Sequence, residues 1–236
     1  MERGTQMWLI GGFIAVVVLA VGAAAYFSNG AAINSSGFVA TTVPPITSAD
    51  HVQGDANSKV TVIEYGDFEC PACGEWEPLV EQLEQQYDNR VEFVFRNFPL
   101  YQIHPFAKIG AQAAEAAALQ GKYWQMHDLL YKNQAEWTAD TTLQPADVVS
   151  KFFNGYAQSL GLNVSQFDTD INSSAVIARV QRDIDSGDAA QINHTPTFFV
   201  DLKQIQNPTG IAQFQQIIDQ TLASSSATQA SSTATK

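Results

Sequence analysis

Apolar residues fall along this chain in three patterns. The first is unbroken: residues 7–27 carry no charged side chain, and 21 residues in a helix rising ~1.5 Å each cover about 30 Å, the thickness of a hydrocarbon core. This run predicts a retained membrane anchor. A cleavable signal peptide is the alternative, because Ala23-Ala24-Ala25 offers small residues for cleavage, although signal cores usually run to only about 7–15 residues. The second pattern is short, β-branched and aromatic. Residues 60–65, 91–95 and 197–200 read as strands, with 203–206 as an edge partner. The third has helical spacing, over 75–87, 107–119, 122–131, 148–160, 175–186 and 211–222. Pro145 suits a first helical position and Gly187 suits a stop.

The order of these elements predicts a fold. A strand, helix and strand within 60–95 imply parallel pairing through a right-handed crossover. Residues 104–188 read as nearly all helix and separate that unit from a C-terminal strand pair and helix. The class is α/β, a sheet covered by helices with a helical lobe inserted at about 104–188.

Composition sets the boundaries. Residues 1–6 form a short leader, with Arg3 and the amino terminus ahead of the apolar run and no further Lys or Arg until Lys59, which places the N-terminus in the cytoplasm and the rest outside it. Residues 28–50, rich in Ser, Thr, Asn, Ala and Gly and uncharged before Asp50, read as a flexible linker. Residues 224–236 are almost entirely Ser, Thr, Ala and Gln and read as a disordered tail, leaving 51–223 as one domain. A net charge of −12 argues against nucleic acid as a partner.

Cys70 and Cys73 are the only two cysteines, placed where a strand gives way to a helix. A helix begun at Cys70 points unpaired N–H groups at its sulfur and favours the thiolate that attacks and leaves in disulfide exchange. A structural staple is the first alternative, but a loop this short constrains the unfolded chain by only ~2 kcal/mol. A metal site is the second, but structural zinc takes about four ligands, and His51, His104, His127 and His194 lie scattered. His104-Pro105 reads as a helix start, and Trp76, Trp124 and Trp137 as packing residues. Asn34, Asn163, Asn172 and Asn193 each open an N-x-Ser/Thr pattern; a glycan at Asn193 would crowd Pro196, which favours a bacterial-type envelope over an ER route.

Cys70-Pro71-Ala72-Cys73 after a strand, Pro78 in the helix, Phe95-Arg-Asn-Phe-Pro-Leu100, a helical insertion and Thr195-Pro196-Thr-Phe-Phe-Val200 together resemble the DsbA-type thiol–disulfide oxidoreductases. The resemblance covers nearly the whole of 51–223. It implies a thioredoxin fold with the helical insertion, Cys70 as exposed nucleophile and Cys73 as buried resolving thiol, with the dipeptide Pro71-Ala72 between them. It also implies a cis Pro196 facing the disulfide, and Thr195 turned outward to pair with an extended substrate. Glu64 matches a buried acid of the family and would take the proton of Cys73. His194 stands where relatives often have a small residue.

The expected activity is donation of disulfides to reduced exported proteins, with a membrane reoxidant of the quinone-linked type and no cofactor or metal. A reductase or isomerase, or a non-catalytic module binding thiols or copper, are the competing classes. Glu64, Asp67, Glu69, Glu75, Glu77, Glu81 and Glu84 surround the motif with no basic residue between Lys59 and Arg90. Their charge should oppose the thiolate, giving a Cys70 pKa above the ~3.5 of the strongest oxidants.

Overall fold

The computed structural model describes residues 38–55 and 57–233. The leader, the apolar run 7–27 and the first part of the 28–50 linker lie outside the described residues. Among those described, no helix is long and apolar enough to cross a membrane.

Six strands, β1 (Phe38–Thr42), β2 (His51–Gly54), β3 (Thr61–Gly66), β4 (Glu92–Asn97), β5 (Thr197–Val200) and β6 (Lys203–Ile205), form one sheet in the order β1-β6-β5-β3-β4-β2. The expected crossover is present: β3 pairs in parallel with β4 from Thr61↔Glu92 to Gly66↔Asn97, joined by helix α1 (Pro71–Tyr87). β5 runs antiparallel to β3, opposing Phe198 to Glu64, and β6 follows antiparallel. The central strands are buried on both faces, which is why they read as nearly continuous apolar runs.

Alternation along β3 assigns the faces. Val62 packs with Val80, Leu83 and Tyr87 of α1, and with Phe214 and Ile218 of the C-terminal helix, here α9 (Ile211–Thr233). Ile63 and Tyr65 point the other way, against Ala111 of α2 (Ala107–Ala118) and Val180 and Ile184 of α8 (Ser174–Ala189). The rest of the insertion comprises α3 (Tyr123–Lys132), α4 (Gln134–Trp137), α5 (Pro145–Val148), a π-helical stretch (Val149–Phe153), α6 (Asn154–Ser159) and α7 (Val164–Asp170). Its core of Met126, Leu130, Trp137, Phe153 and Phe167 is continuous with Phe68, Cys70, Cys73 and Phe95. The cysteines therefore sit where the sheet meets the insertion.

Several expectations need correction. Residues 38–50 are not a loose linker: β1 pairs with β6, and the buried Asp50 carboxylate accepts from Arg96 Nε at 2.9 Å while Arg96 also donates to the carbonyls of Pro44 and Pro45. The single acid of the segment is its fastening. Residues 224–233 continue α9, since Ser, Thr, Ala and Gln include no helix breaker and the Ser224 and Ser226 hydroxyls bond back to carbonyls four residues earlier. Gly187 does not stop α8; the stop is Gln191, at φ 57°, after which Ile192 N–H bonds the Gly187 carbonyl. The Asn163 side chain caps α7, accepting from Gln166 N–H at 3.0 Å.

Candidate active site

Cys70 is the N-cap of α1, in extended conformation (φ −68°, ψ 121°), and Pro71 occupies N1, where its missing N–H costs nothing. Two groups hold this turn. The Asp67 carbonyl accepts from Cys70 N–H at 3.0 Å, and Gln134 of α4 donates through Nε2 to the carbonyls of Phe68 at 2.8 Å and Cys70 at 2.9 Å. Both cysteines are free thiols under cover of the insertion. Cys70 is 7% exposed and Cys73 1%, so the nucleophile is more covered than expected, though it remains the more accessible of the two.

The Thr195–Pro196 bond is cis. Thr195 does not turn its carbonyl outward to solvent, because that oxygen accepts from Cys70 Sγ at 3.4 Å. Its hydroxyl is buried with no hydrogen-bond partner, and the Thr195 side chain helps to lower the Cys70 pKa. The segment is tied down by the Asn207 amide, which donates to the Pro196 carbonyl at 2.7 Å, and by Thr197 Oγ1, which donates to the His194 carbonyl at 2.7 Å.

The two thiols are driven apart in acidity. A hydrogen bond from the Cys73 thiol, with help from Thr195 and the N–H groups of Cys73 and Ala72, outweighs burial and lowers Cys70 to about 5. Cys73 is pushed well above the usual thiol value by burial first, then by donating to Cys70 and by the charges of Glu64 and Cys70. One thiol is thus poised to attack or leave as thiolate and the other to hold its proton.

Glu64 stands at the centre of β3 between Phe95 and Phe198 and is buried, not the wet acid of a frayed strand end. Burial, then the charges of Glu77, Glu84 and Cys70, push its carboxyl well above the ordinary range. It lines a cavity of about 20 Å³ with Glu77, Glu84 and His127, which is room for about one water. Burial and the neighbouring Glu77 also push Glu84 up, to about 7.

The acidic surround does not act as charge pattern alone suggests. The Glu69 carboxylate accepts the N–H of Phe106, the residue that opens α2. Glu75 is exposed. Hydrogen bonds at the sulfur outweigh these diffuse charges, and Cys70 lies low but above the extreme of the strongest oxidants.

The structure places Cys70, Cys73, Thr195, Pro196 and Glu64 in one region, and adds to them Gln134 and Asn207, which the sequence did not point to, and contacts of Asp67 and His104 that it did not show. His104 does not simply start a helix: its Nδ1 lies 2.6 Å from Asp67 Oδ2. Trp137 packs as read, fully buried with Nε1 donating to the Leu130 carbonyl. Among the described residues one group, Glu77, His127 and Asp128, brings three ligand-type atoms within 4.8 Å of one another, and it includes neither cysteine.

The family model described as Thioredoxin matches residues 47–220. The fold is similar to a thioredoxin-like oxidoreductase from Silicibacter pomeroyi (25% identity, TM-score 0.59, 74% of this chain and 92% of that one). It is also similar to oxidised BdbD from Bacillus subtilis (21%, 0.67, 78% and 98%) and to α-DsbA1 from Wolbachia pipientis (18%, 0.66, 78% and 96%). Among curated proteins, the Na(+)/H(+) antiporter NhaA 1 of Salinispora arenicola is 42% identical over 166 residues, 70% of this chain and 24% of the relative. NhaA 3 of Salinispora tropica is 40% identical over 177 residues, 75% of this chain and 25% of the relative. The chain spans about a quarter of the length of these curated relatives.

Proposed function

The chain belongs to the thioredoxin family, and from that premise we propose that it is a thiol–disulfide oxidoreductase of DsbA type that introduces disulfides into exported proteins through Cys70 and Cys73. The observation that carries this reading is the placement of the two sulfurs, Cys70 at the N-terminus of α1 with Sγ 3.4 Å from the Thr195 carbonyl and Cys73 buried behind it, which lowers Cys70 to about 5 and raises Cys73 well above the usual thiol value. Stabilising the Cys70 thiolate stabilises the reduced form, and a couple whose reduced form is stabilised is an oxidant. Thioredoxin, the reference reductase, holds its nucleophile only near ~7. That comparison favours oxidase over reductase or isomerase.

In the oxidised enzyme a substrate thiolate attacks Cys70 Sγ, a sulfur–sulfur bond forms, and the Cys70–Cys73 bond breaks with its electron pair going to Cys73. Cys73, disfavoured as an anion, takes a proton, for which Glu64 is the buried donor. The substrate's second thiolate then attacks the substrate sulfur of the mixed disulfide, and Cys70 leaves as the stabilised thiolate. Two electrons pass from substrate to enzyme, and a quinone-linked membrane oxidant is the proposed sink. The Thr195 carbonyl receives the substrate strand once Cys70 no longer donates to it.

The uncharged run 7–27 supports a single-pass anchor with this domain on the extracytoplasmic side. Alkaline carbonate washing should leave the chain in the membrane fraction, whereas a soluble product with a mature N-terminus near Ala25 would overturn the anchor. Na⁺/H⁺ antiport belongs to relatives of which this chain spans about a quarter, and is not carried over.

The deciding experiment is oxidation of a reduced model protein. Cys70→Ser should abolish turnover, and Cys73→Ala, given a disulfide-containing substrate instead, should accumulate a mixed disulfide through Cys70 as one substrate sulfur leaves as thiolate. Alkylation of Cys70 in the dithiol form should stay fast from pH 8 to 6 and fall through about 5. Full activity in Cys70→Ser would refute the assignment.

A further inference from the structure

Pro71-Ala72 places no cation between the cysteines, and carboxylates crowd the turn before α1. Asp67 is tied into this turn twice: its carbonyl accepts the Cys70 N–H at 3.0 Å, and its carboxylate, fully buried, accepts the N–H of Glu69 at 2.8 Å and of Leu100 at 2.9 Å. An anion so placed opposes ionisation of the sulfur unless a positive charge offsets it. The β4–α2 loop supplies the candidate: His104 Nδ1 lies 2.6 Å from Asp67 Oδ2, with the imidazole 16% exposed.

We propose that His104 is the cation of this redox centre, an imidazolium held by Asp67 that offsets the buried carboxylate and stabilises the Cys70 thiolate in place of a basic residue between the cysteines. The assignment rests on the reading of Cys70 as nucleophile. His104 touches neither substrate nor the reacting sulfur, so it is a positioning residue acting through Asp67 and through the field at Cys70.

The groups facing this histidine agree with the assignment. From the turn before α1 come Asp67, Cys70 and Glu69. The Asp67 hydrogen bond, then the charges of Asp67, Cys70 and Glu69, outweigh burial and raise His104 above the usual imidazole value. Glu69 titrates high because burial, with Asp67 beside it, outweighs its bond from Phe106 N–H and the attraction of His104. Around the sulfur itself stand Cys73 and Thr195. Coupling between two titrating sites is reciprocal. If imidazolium stabilises thiolate, thiolate stabilises imidazolium, and the attraction vanishes when Cys70 enters a disulfide.

The test uses the full chain. His104→Gln keeps an N–H donor for Asp67 and removes only the charge. Thiolate absorbance near 240 nm and pH-dependent alkylation of the dithiol form should show the Cys70 pKa rising by about one unit. The tenfold loss of thiolate stabilisation should make the couple more reducing by about 30 mV at neutral pH. In the unaltered protein, the His104 ring pKa followed by NMR should fall on oxidation to the disulfide. A histidine that merely braces the loop would leave the Cys70 pKa in His104→Gln and the ring pKa across the redox change as they were, and either result overturns the proposal. The NMR comparison needs no variant and stands if His104→Gln does not fold. Unaltered protein that oxidises no substrate would sink the functional reading alone, because thiol and imidazole are titrated without turnover.

Discussion

Burial works on Glu64 without the compensating bonds that Cys70 enjoys, and the two groups titrate in opposite directions a few side chains apart. For Glu64 the folded pKa is raised, so its stabilising contribution is complete below the unfolded value of about 4.5 and is lost as pH rises through the folded value. Glu64→Gln should therefore stabilise the protein at pH 8 by about 1–3 kcal/mol, with the gain vanishing near pH 4. Denaturant unfolding at both pH values checks this, and a loss of stability at pH 8 would show that the carboxylate is paired in the fold. The same variant should slow formation of the mixed disulfide, since the departing Cys73 loses its proton donor. At this scale the chemistry was legible wherever it lay in one short motif, as with Cys70, Cys73 and Thr195-Pro196. It was not legible where a side chain reaches a carbonyl far along the chain, as Gln134 does at Cys70 and Asn207 at Pro196.

At the level of elements, Gly187 shows packing overriding propensity. Helix propensity alone favours Ala over Gly by ~1 kcal/mol in a helix interior. A Cβ at Gly187 would lie 2.5 Å from the ring of Phe98 and 3.3 Å from Tyr65, both buried. Gly187→Ala is expected to destabilise by about 1–3 kcal/mol, because a ring in a filled core has nowhere to move; thermal unfolding would read this, and a gain in Tm would contradict it. The glycine was visible in the sequence, but its reason, close approach of α8 to Phe98, was not. The long apolar strands and helices were readable because burial on both faces, or on one helical stripe, leaves a periodic trace. β1 and β2 left none: they are short sheet edges, and what fixes them is pairing with β6 and β4 rather than their own pattern.

For the whole molecule, the segment 43–50 links one edge of the sheet to the other, since β1 and β2 are the two end strands. Val43 is buried against the face formed by Ile63, Tyr65 and Phe199, and Asp50 closes the crossing on Arg96, with side chains 2% and 4% exposed. Removing one member of a buried pair leaves the other charge uncompensated. Asp50→Ala should cost about 2–4 kcal/mol, somewhat below a fully isolated charge because Arg96 keeps the Pro44 and Pro45 carbonyls and the Tyr65 hydroxyl. It should also raise proteolysis within 38–50 while leaving the Cys70 pKa alone; protection unchanged from the parent would refute the fastening role. A crossing of this kind acts as a strap. Tension arriving through the chain ahead of Phe38 is taken up first in shear by the β1–β6 ladder, then by the Asp50–Arg96 clasp at the far edge. The load is shared across the sheet before any of it reaches the turn that holds the sulfurs, and the redox centre is mechanically isolated from whatever pulls on the N-terminus.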